Sequence, residues 1–344
     1  MSKLKLAIVI LNWNGKHFLE KFLPSVVKFS PKDSVFIADN FSDDDSVEFV
    51  KSNFPDVSVI LNPVNSGFAK GYNDALRNID AEYFVLLNSD VEVTENWVMP
   101  VIHFMDENPN VAACQPKILS YQDKTKFEYA GACGGFIDKY GYPFCRGRIF
   151  DLCETDNGQY DNVSEIFWAT GACMFVRAEA FKRLNGFDED FFAHMEEIDL
   201  CWRMKNRGNQ IFVIPKSKIY HVGGGTLNKS NPKKTFLNFR NSLITILKND
   251  ASRFVFLKII CRLVLDGIAG FTFLIKGNGS DCFAIIKAHF AFYAQIGKTI
   301  EKRKKLLGRF AKNTEEKAIY RKNIVFQFYL RRRKTFSSLN WQKA

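Results

Sequence analysis

A run of five apolar residues, 83–87, constrains the fold of this chain most, because it stops abruptly at the polar triplet Asn88, Ser89 and Asp90. A run that is apolar at every position predicts a strand buried on both faces, as in a sheet covered by helices. Sheets of this kind bind ligands at the carboxyl ends of their strands. Asp90 is therefore a candidate ligand for a divalent cation, although three small polar residues are equally typical of an ordinary turn.

Further predicted strands alternate with short helices before this run. The predicted strands cover residues 6–11, 35–38 and 57–61, and the predicted helices cover 17–29, 46–53 and 72–79. This order predicts an α/β fold with a doubly wound, mostly parallel sheet flanked by helices. A chain of 344 residues also has room for a second unit.

Three polar strand exits, residues 12–15, 39–46 and 88–90, are expected along one edge of that sheet. Asp39 directly follows an apolar strand, so its carboxylate would face the crevice and accept a base imide N–H or ribose hydroxyls. Residues 65–73 supply two glycines and a helix start, which would let phosphates or a base approach closely. The spacing there matches neither a P-loop nor a Gly-x-Gly-x-x-Gly loop.

A second acidic centre lies in a helix predicted over about residues 195–207. Asp199 and Arg203 are spaced to pair at i, i+4 on a polar stripe that also includes Glu196 and Asn206. Glu197 falls off that stripe, on the apolar side, where burial raises a carboxyl pKa and suits a general base. The alternative is an acidic helix start favoured by the helix dipole.

His221 precedes three glycines, residues 223–225. Glycine permits close approach of the backbone to a ligand. We consider His221 a second metal ligand, with a purely structural histidine as the alternative.

Charge and cysteine content bear on location. Residues 298–334 contain 14 Lys or Arg and three Glu, so the net charge of +11 belongs to the C-terminal part and residues 1–297 are nearly neutral. The eight cysteines include no Cys-x-x-Cys pair, and the apolar run 6–11 is too short for a signal peptide. A reducing, cytoplasmic location is expected.

The C-terminal hundred residues predict two apolar helices, 254–275 and 284–296, before the basic run. Lys258, Arg262 and Asp266 share one face of the first helix, which an interfacial helix would keep wet. Residues 254–334 are therefore expected to attach peripherally to an anionic membrane surface, on the inner face of the cell membrane. A solvated helix pair covering the rest of the chain is the alternative. No recognition motif supports nucleic-acid binding, which is not expected.

Eight motifs together resemble the family-2 glycosyltransferases, especially their rhamnosyltransferase-like branch. They occur in family order over about residues 6–245. The motifs are Val9-Ile-Leu-Asn-Trp-Asn-Gly15, Asp39-Asn40-x-Ser42-x-Asp44, Asn65-x-Gly67-Phe68-Ala69-x-Gly71-x-Asn73, Leu86-Leu87-Asn88-Ser89-Asp90, Thr170-Gly171-Ala172, Gly186-Phe187-Asp188-Glu189-x-Phe191-Phe192, Glu196-Glu197-x-Asp199-Leu200-Cys201 and His221-x-Gly223-Gly224.

The resemblance implies a GT-A fold in residues 1–245, with a donor half to about residue 95 and an acceptor half beyond it. Residues 246–344 would form a helical, basic extension. It implies an inverting glycosyltransferase that uses a nucleotide-diphosphate sugar and Mg²⁺ or Mn²⁺. Its acceptor would be a glycan or a lipid-linked acceptor in cell-envelope polysaccharide synthesis.

The resemblance also assigns roles. Glu197 would be the base, with neighbours Glu196 and Asp199, and Asp90 would hold the metal with His221. The residues expected to bind the nucleotide sugar are Asn12, Trp13, Asn14, Asp39, Asn65, Gly67, Phe68, Gly71, Asn73, Asn88 and Ser89.

Two departures from the family pattern affect the site. The usual Asp-x-Asp metal motif is Asn88-Ser89-Asp90 here, which leaves one carboxylate, and Glu197 stands where Asp is frequent. The alternatives to a glycosyltransferase are a sugar-nucleotide nucleotidyltransferase, whose glycine-rich basic loop is missing at residues 12–16, and a non-catalytic membrane-surface or nucleic-acid-binding protein.

Overall fold

The computed structural model describes residues 3–223, 231–308 and 318–341. Its strands are β1 Leu4–Asn12, β2 Val35–Asp39, β3 Ser58–Leu61, β4 Ala81–Asn88, β5 Val91–Val93, β6 Val111–Ser120, β7 Gly135–Asp138, β8 Pro143–Cys145, β9 Arg148–Ile149, β10 Leu152–Cys153, β11 Ser164–Glu165, β12 Cys173–Arg177, β13 Gln210–His221 and β14 Ile319–Tyr320. Its α-helices are α1 Lys16–Phe29, α2 Ser46–Asn53, α3 Gly67–Leu76, α4 Met99–Glu107, α5 Ala178–Arg183, α6 Glu196–Lys205, α7 Pro232–Asn249, α8 Val255–Ile275, α9 Gly279–Leu307 and α10 Ile324–Tyr329.

The main sheet confirms the α/β prediction. Its strand order is β11-β13-β6-β12-β4-β1-β2-β3, and β5 pairs with the far end of β13. The half β4-β1-β2-β3 is parallel throughout, as the alternation of strands and helices predicts. Beyond β4 the sheet is mixed, because β12 is antiparallel to both of its neighbours.

Strand β4 is buried on both faces, as its uninterrupted apolar run predicts. Val85 and Leu87 pack with Leu19 of α1 and Val101 of α4 on one side. Phe84 and Leu86 pack on the other side, with α3, α5 and α6. The strand ends at Asn88, where the helices no longer cover the sheet.

One local prediction needs correction. Helix α3 begins at Gly67, not at residue 72, so most of the glycine-bearing loop is helical. Residues 130–148 contain β7, β8 and part of β9. Strand β13 runs from Gln210 to His221, with an irregularity between Ile214 and Lys218.

A second, five-stranded sheet lies beside the main one, in the order β10-β9-β8-β7-β14. Its last strand comes from the C-terminal segment and is parallel to β7. Phe336 and Trp341 pack their rings against Phe136 of β7, with centroids 5.3 and 5.2 Å away. The end of the described chain therefore completes this sheet.

Helices α7, α8 and α9 pack on one another. The face of α8 that was expected to stay wet is instead buried, because Arg262 is 2% and Asp266 0% exposed. None of the helices within the described ranges is both long and apolar enough to cross a bilayer. The basic residues between 309 and 317 lie outside the described residues.

Candidate active site

Three strand ends meet at one edge of the main sheet. Asn12 pairs in register with Asp39, and Leu11 with Asn88. Asn12 is fully buried, and its Nδ2 atom donates to Asp39 Oδ1 at 3.2 Å and to Ser42 Oγ at 3.3 Å. The Oδ1 atom of Asn12 is buried and has no hydrogen-bond partner within the described chain. This edge is where the polar strand exits were expected.

The loop after β2 is held against the loop after β1. Asp39, 4% exposed, accepts a hydrogen bond from the backbone N–H of Ser42 at 3.0 Å. Asn14 adopts a left-handed backbone with φ 50°, and its Oδ1 accepts from the N–H of Asp43 at 2.9 Å. Trp13, by contrast, is 48% exposed at the rim of the edge. Both carboxylate oxygens of Asp39 thus accept hydrogen bonds within the protein, and donor binding by Asp39 stays a prediction. The exposed side chain of Trp13 is open to a ligand.

The glycines of α3 serve close packing. Gly67 has φ +82°, and a Cβ atom there would lie 2.6 Å from the ring of Phe192. The N–H groups of Phe68 and Ala69 donate to the carbonyl of Phe192 at 2.8 and 3.2 Å. A Cβ on Gly71 would lie 3.0 Å from Asn40 Oδ1. The start of α3 therefore packs closely against the loop before α6. The backbone amides of Phe68 and Ala69 already donate to that loop, so they are not available to bind phosphate.

Asn65 and Asn73, which flank these glycines and are predicted to bind the sugar donor, also form hydrogen bonds within the protein. Asn65 Oδ1 accepts from the side chain of Asn40 at 2.9 Å. Asn73 exchanges two 2.9 Å hydrogen bonds with the backbone of Phe187. Direct donor contacts by Asn65, Gly67, Phe68, Gly71 and Asn73 stay a prediction.

Asp90 and His221 converge, and the sheet explains why. Strand β5 turns back from β4 and pairs with the end of β13, so that His221 lies opposite Val91. The N–H of Val222 donates to the carbonyl of Asp90 at 3.1 Å. Nε2 of His221 then lies 3.1 Å from Oδ1 of Asp90, and Nδ2 of Asn88 is 3.4 Å from the same nitrogen. Gly224 and Gly225, which follow in the motif, lie outside the described residues.

Glu128 is a third member of this cluster that sequence reasoning missed. Its Oε2 lies 3.1 Å from Nδ1 of His221, and the side chain is buried. Glu128 follows the turn after β6, where Phe127 bridges back to Leu119. No motif marks it, because only that turn brings it beside β13.

In this cluster, burial and neighbouring charges shift the pKa values of Asp90 and His221 in opposite directions. Burial opposes ionisation of Asp90, but the adjacent His221 lowers the pKa of its carboxyl below the usual range. Burial likewise disfavours a charged His221, yet the carboxylates of Asp90 and Glu128 raise its pKa to about 10. The cluster is thus a buried imidazole flanked by two carboxylates.

The donor set fits a divalent cation held by few protein ligands. A metal-binding histidine commonly has its second nitrogen held by a carboxylate, which is the place of Glu128. Asp90 supplies a hard oxygen beside the other nitrogen. Within the described ranges, no three His, Cys, Asp or Glu side chains are arranged to hold an ion alone. A diphosphate would have to complete the coordination.

Helix α6 carries the predicted base, and its burial differs from expectation. The whole helix is buried except Glu197, which is half-buried, so the polar stripe does not face solvent. Burial raises the pKa of Glu197 to about 7, although N–H groups at the helix start act against this. One carboxylate oxygen each of Glu196 and Glu197 is buried without a hydrogen-bond partner in the described chain.

Asp199 has a structural role. It is fully buried, and its carboxylate pairs with Arg203 at 2.8 Å, which confirms the i, i+4 pair. Lys248 and Asn249 of α7 contact its other oxygen at 2.6 and 2.7 Å. A carboxylate satisfied by two cations and an amide has no remaining reason to act as the base.

The loop that leads into Glu197 is strained and held by α7. Phe192, His194 and Met195 all have positive φ values, of 63°, 68° and 74°. The side-chain amide of Asn241 donates to the carbonyls of Phe191, Ala193 and His194 at 3.1, 2.9 and 2.7 Å. These bonds offset the strain and fix the start of α6.

Residues 7–184, just over half of the chain, match the model of the family described as glycosyl transferase family 2. The chain belongs to this family. Being a family-2 member, it is a glycosyltransferase.

Curated relatives of this family-2 protein include rhamnosyltransferases. It is 24% identical over 235 residues to the N-acetylglucosaminyl-diphospho-decaprenol L-rhamnosyltransferase of Mycobacterium tuberculosis, a match that covers 63% of this chain and 75% of the relative. It is 22% identical over 220 residues to rhamnosyltransferase WbbL of Escherichia coli K12, covering 62% of this chain and 82% of the relative. The rhamnosyltransferase-like branch is thereby supported.

Solved structures support the GT-A fold of the family-2 protein. S. aureus TarS 1-349 in complex with UDP-GlcNAc matches with a TM-score of 0.55 at 14% identity, over 88% of this chain and 89% of the other. GalNAc-T7 with UDP, GalNAc and Mn²⁺ matches with a TM-score of 0.55 at 15% identity, over 72% of this chain and 48% of the other.

Proposed function

We propose that this glycosyltransferase moves a sugar from a nucleotide-diphosphate donor, dTDP-rhamnose or a UDP-sugar, to a hydroxyl of a glycan or lipid-linked acceptor. The observation that carries the proposal is the convergence of Asp90 and His221 at the strand edge that also presents Asp39. Both curated relatives are rhamnosyltransferases, which favours a rhamnosyl donor, and the name of the Mycobacterium tuberculosis enzyme favours a lipid diphosphate acceptor. We propose that the product belongs to cell-envelope polysaccharide synthesis.

Donor binding would use the strand edge. Asp39 would accept from the base or the ribose, with Asn12 holding its carboxylate in place. Asn88 and Ser89, both half-buried, would line the diphosphate beside Asp90. Asp90 and His221 would hold Mg²⁺ or Mn²⁺, which when bound neutralises a diphosphate leaving group.

Transfer would proceed by direct displacement with inversion. The acceptor oxygen forms a bond to the anomeric carbon while the bond from that carbon to the diphosphate breaks. Glu197 takes the acceptor hydroxyl proton on a carboxylate oxygen. Its raised pKa keeps it basic enough for this task near neutral pH, and the loop held by Asn241 fixes where it stands.

Thermal-shift titration tests the proposal. Wild-type protein and Asp90→Ala would be screened against dTDP-rhamnose, UDP-sugars and GDP-sugars, with and without Mn²⁺. We expect one donor class to stabilise the wild type more strongly with Mn²⁺ than without it, and Asp90→Ala to lose that Mn²⁺ dependence. Glu107→Ala, which removes an exposed carboxylate at the end of α4, serves as the control. Metal titrations that coincide for wild type and Asp90→Ala would refute the metal-binding role.

A further inference from the structure

Helix α8 presents an apolar face to the outside of the protein. Ten of its positions are exposed, and none of them is charged. Eight are large apolar residues, each 55–71% exposed: Phe256, Leu257, Ile260, Val264, Ile268, Phe271, Leu274 and Ile275. The other two are Gly267 and Thr272. The hydroxyl of Thr272 donates to the carbonyl of Ile268 at 2.9 Å, so even this polar group is satisfied within the helix.

The charged residues of α8 lie on the opposite, inner face. Arg262 donates to the carbonyl of Tyr140 and to Ser242 Oγ, both at 2.9 Å, and it stacks over the ring of Tyr142 at 3.8 Å. Asp266 accepts from the hydroxyl of Tyr142 at 3.2 Å. The helix is therefore inverted relative to an ordinary surface helix, which buries its apolar side and exposes its charges.

Helix α9 extends the apolar surface. Its N-terminal half exposes Phe283, Ile286, Phe290 and Tyr293, each by 46–69%. This half packs beside α8, where Cys282 approaches Gly270. We call the exposed apolar residues within 256–275 of α8 and 283–293 of α9 the outer apolar face. So large an exposed apolar surface indicates an interaction site.

The charges around this face have one sign. Within residues 250–300, all of which the structure describes, the three acidic residues Asp250, Asp266 and Asp281 are buried. The exposed charges are basic, and they stand at the start of α8, at its end and on α9: Arg253, Lys276, Lys287 and Lys298. Such a rim is complementary to an anionic surface and would repel a second copy of itself.

We propose that the outer apolar face enters the headgroup region of an anionic lipid bilayer, with α8 lying parallel to the membrane plane. The inner face of α8 keeps its contacts with Tyr140, Tyr142 and Ser242. Only the outer side of the helix would therefore enter the bilayer. Side chains of this size reach about 5–10 Å into the interface, as in other amphipathic surface helices. The proposal narrows the predicted membrane contact from residues 254–334 to residues 256–293.

Flotation of the full chain with vesicles tests the proposal. The vesicles are phosphatidylcholine with phosphatidylglycerol, or phosphatidylcholine alone, at low and high salt. We expect flotation with the anionic vesicles, weakened by salt. A triple variant, Ile260→Gln, Val264→Gln and Ile268→Gln, should bind about tenfold or more weakly, because three apolar side chains no longer enter the lipid.

A matched control carries the same change at exposed apolar positions elsewhere, Val27→Gln, Leu152→Gln and Val163→Gln, and should float like the wild type. The α8 triple variant should keep the wild-type melting temperature, since its side chains are exposed and glutamine favours helices. The melting temperature of the control variant is measured alongside. Phe271→Trp gives an independent readout, because its fluorescence should shift to the blue on insertion.

Three results would overturn the proposal. The first is wild-type protein that stays off anionic vesicles at low salt. The second is an α8 triple variant that floats as well as the wild type, or a Phe271→Trp emission unmoved by vesicles. The third is a wild-type dimer that the α8 triple variant converts to monomers without any vesicle binding, which would make the face a contact between copies.

Discussion

Nδ1 of His221 lies 3.1 Å from a carboxylate oxygen of Glu128, on the side of the ring away from Asp90. When a cation displaces the proton on Nε2, a carboxylate in this position would keep the proton on Nδ1 and leave Nε2 to face the metal. We therefore expect Glu128 to be a positioning residue, which acts through His221.

Glu128→Gln should lower the affinity for Mn²⁺, measured with a nucleoside diphosphate present, by about 10–100-fold. The reason is that the amide no longer fixes the imidazole as a carboxylate does. Electron paramagnetic resonance of free Mn²⁺ measures this directly, without turnover. Glu82→Gln is the control, because Glu82 pairs with Lys5 near the start of β4, at the end of the strand opposite Asn88. Equal Mn²⁺ affinity in wild type and Glu128→Gln would contradict the role.

Glu197→Gln should reduce transfer by about 10²–10⁴-fold while donor binding survives, because glutamine cannot take the acceptor proton. Turnover with donor and acceptor measures the loss, and thermal shift with the donor measures binding. Glu196→Gln is the matched neighbour, and it should retain more activity. If Glu196→Gln is the inactive variant, the base is Glu196.

Activity should fall as the pH drops below about 7. The raised pKa of Glu197 means that the carboxyl gains a proton there, and a protonated base cannot accept another. We expect kcat/KM to decline about tenfold per pH unit on the acidic side. Donor binding followed over the same range separates this titration from loss of the donor site. A flat acidic limb would rule Glu197 out as the titrating base.

Asp199→Ala should cost about 3–5 kcal/mol of unfolding free energy, because it leaves Arg203 and Lys248 buried without their shared carboxylate. Urea denaturation measures the loss. Glu197→Ala, on the same helix but outside that ion pair, is the comparison and should cost much less. A small effect of Asp199→Ala would return Asp199 to the list of base candidates.

Comparing Gly67→Ala with Gly208→Ala separates two contributions to the loss of stability, the backbone strain and the contact of the new methyl group. Both glycines have a left-handed backbone, with φ +82° and +83°, but only at Gly67 would the new methyl group meet Phe192. Gly208→Ala should cost about 1–2 kcal/mol from conformation alone. Gly67→Ala should cost more and also lower kcat, since Phe192 belongs to the loop before Glu197. Equal losses of stability would show that the Phe192 side chain moves aside without destabilising the protein.

The parallel half of the sheet and its polar edge were predictable, because strand and helix periods and strand exits are local properties. The same holds for the Asp199–Arg203 pair, which is set by helix spacing. The protein contacts of Asn65 and Asn73 could not be predicted, because a motif does not reveal whether an amide faces a donor or a neighbouring loop. Those contacts depend on Asn40 and Phe187, 25 and 114 residues away.

The inversion of α8 was also beyond sequence reasoning. The spacing of Lys258, Arg262 and Asp266 identifies a charged face correctly, but charges are normally solvated, so that face was expected to be wet. It is buried because the carbonyl of Tyr140, the ring of Tyr142 and Ser242 supply partners from distant segments. Glu128 was not predicted for the same reason, because its partner, His221, lies on the distant strand β13.

The return of the C-terminal segment to the small sheet limits how deletion can be used to locate a lipid anchor. Cutting the chain after α9 would remove most of the basic residues of 298–334, but also β14 and the rings of Phe336 and Trp341. Phe136 would lose the packing of those two rings. Asp138 would lose the N–H of Ile324, which donates to its carboxylate at 2.9 Å. A shortened enzyme that no longer binds vesicles would therefore report a damaged sheet, and only point changes on α8 can isolate the contribution of the lipid-facing side chains.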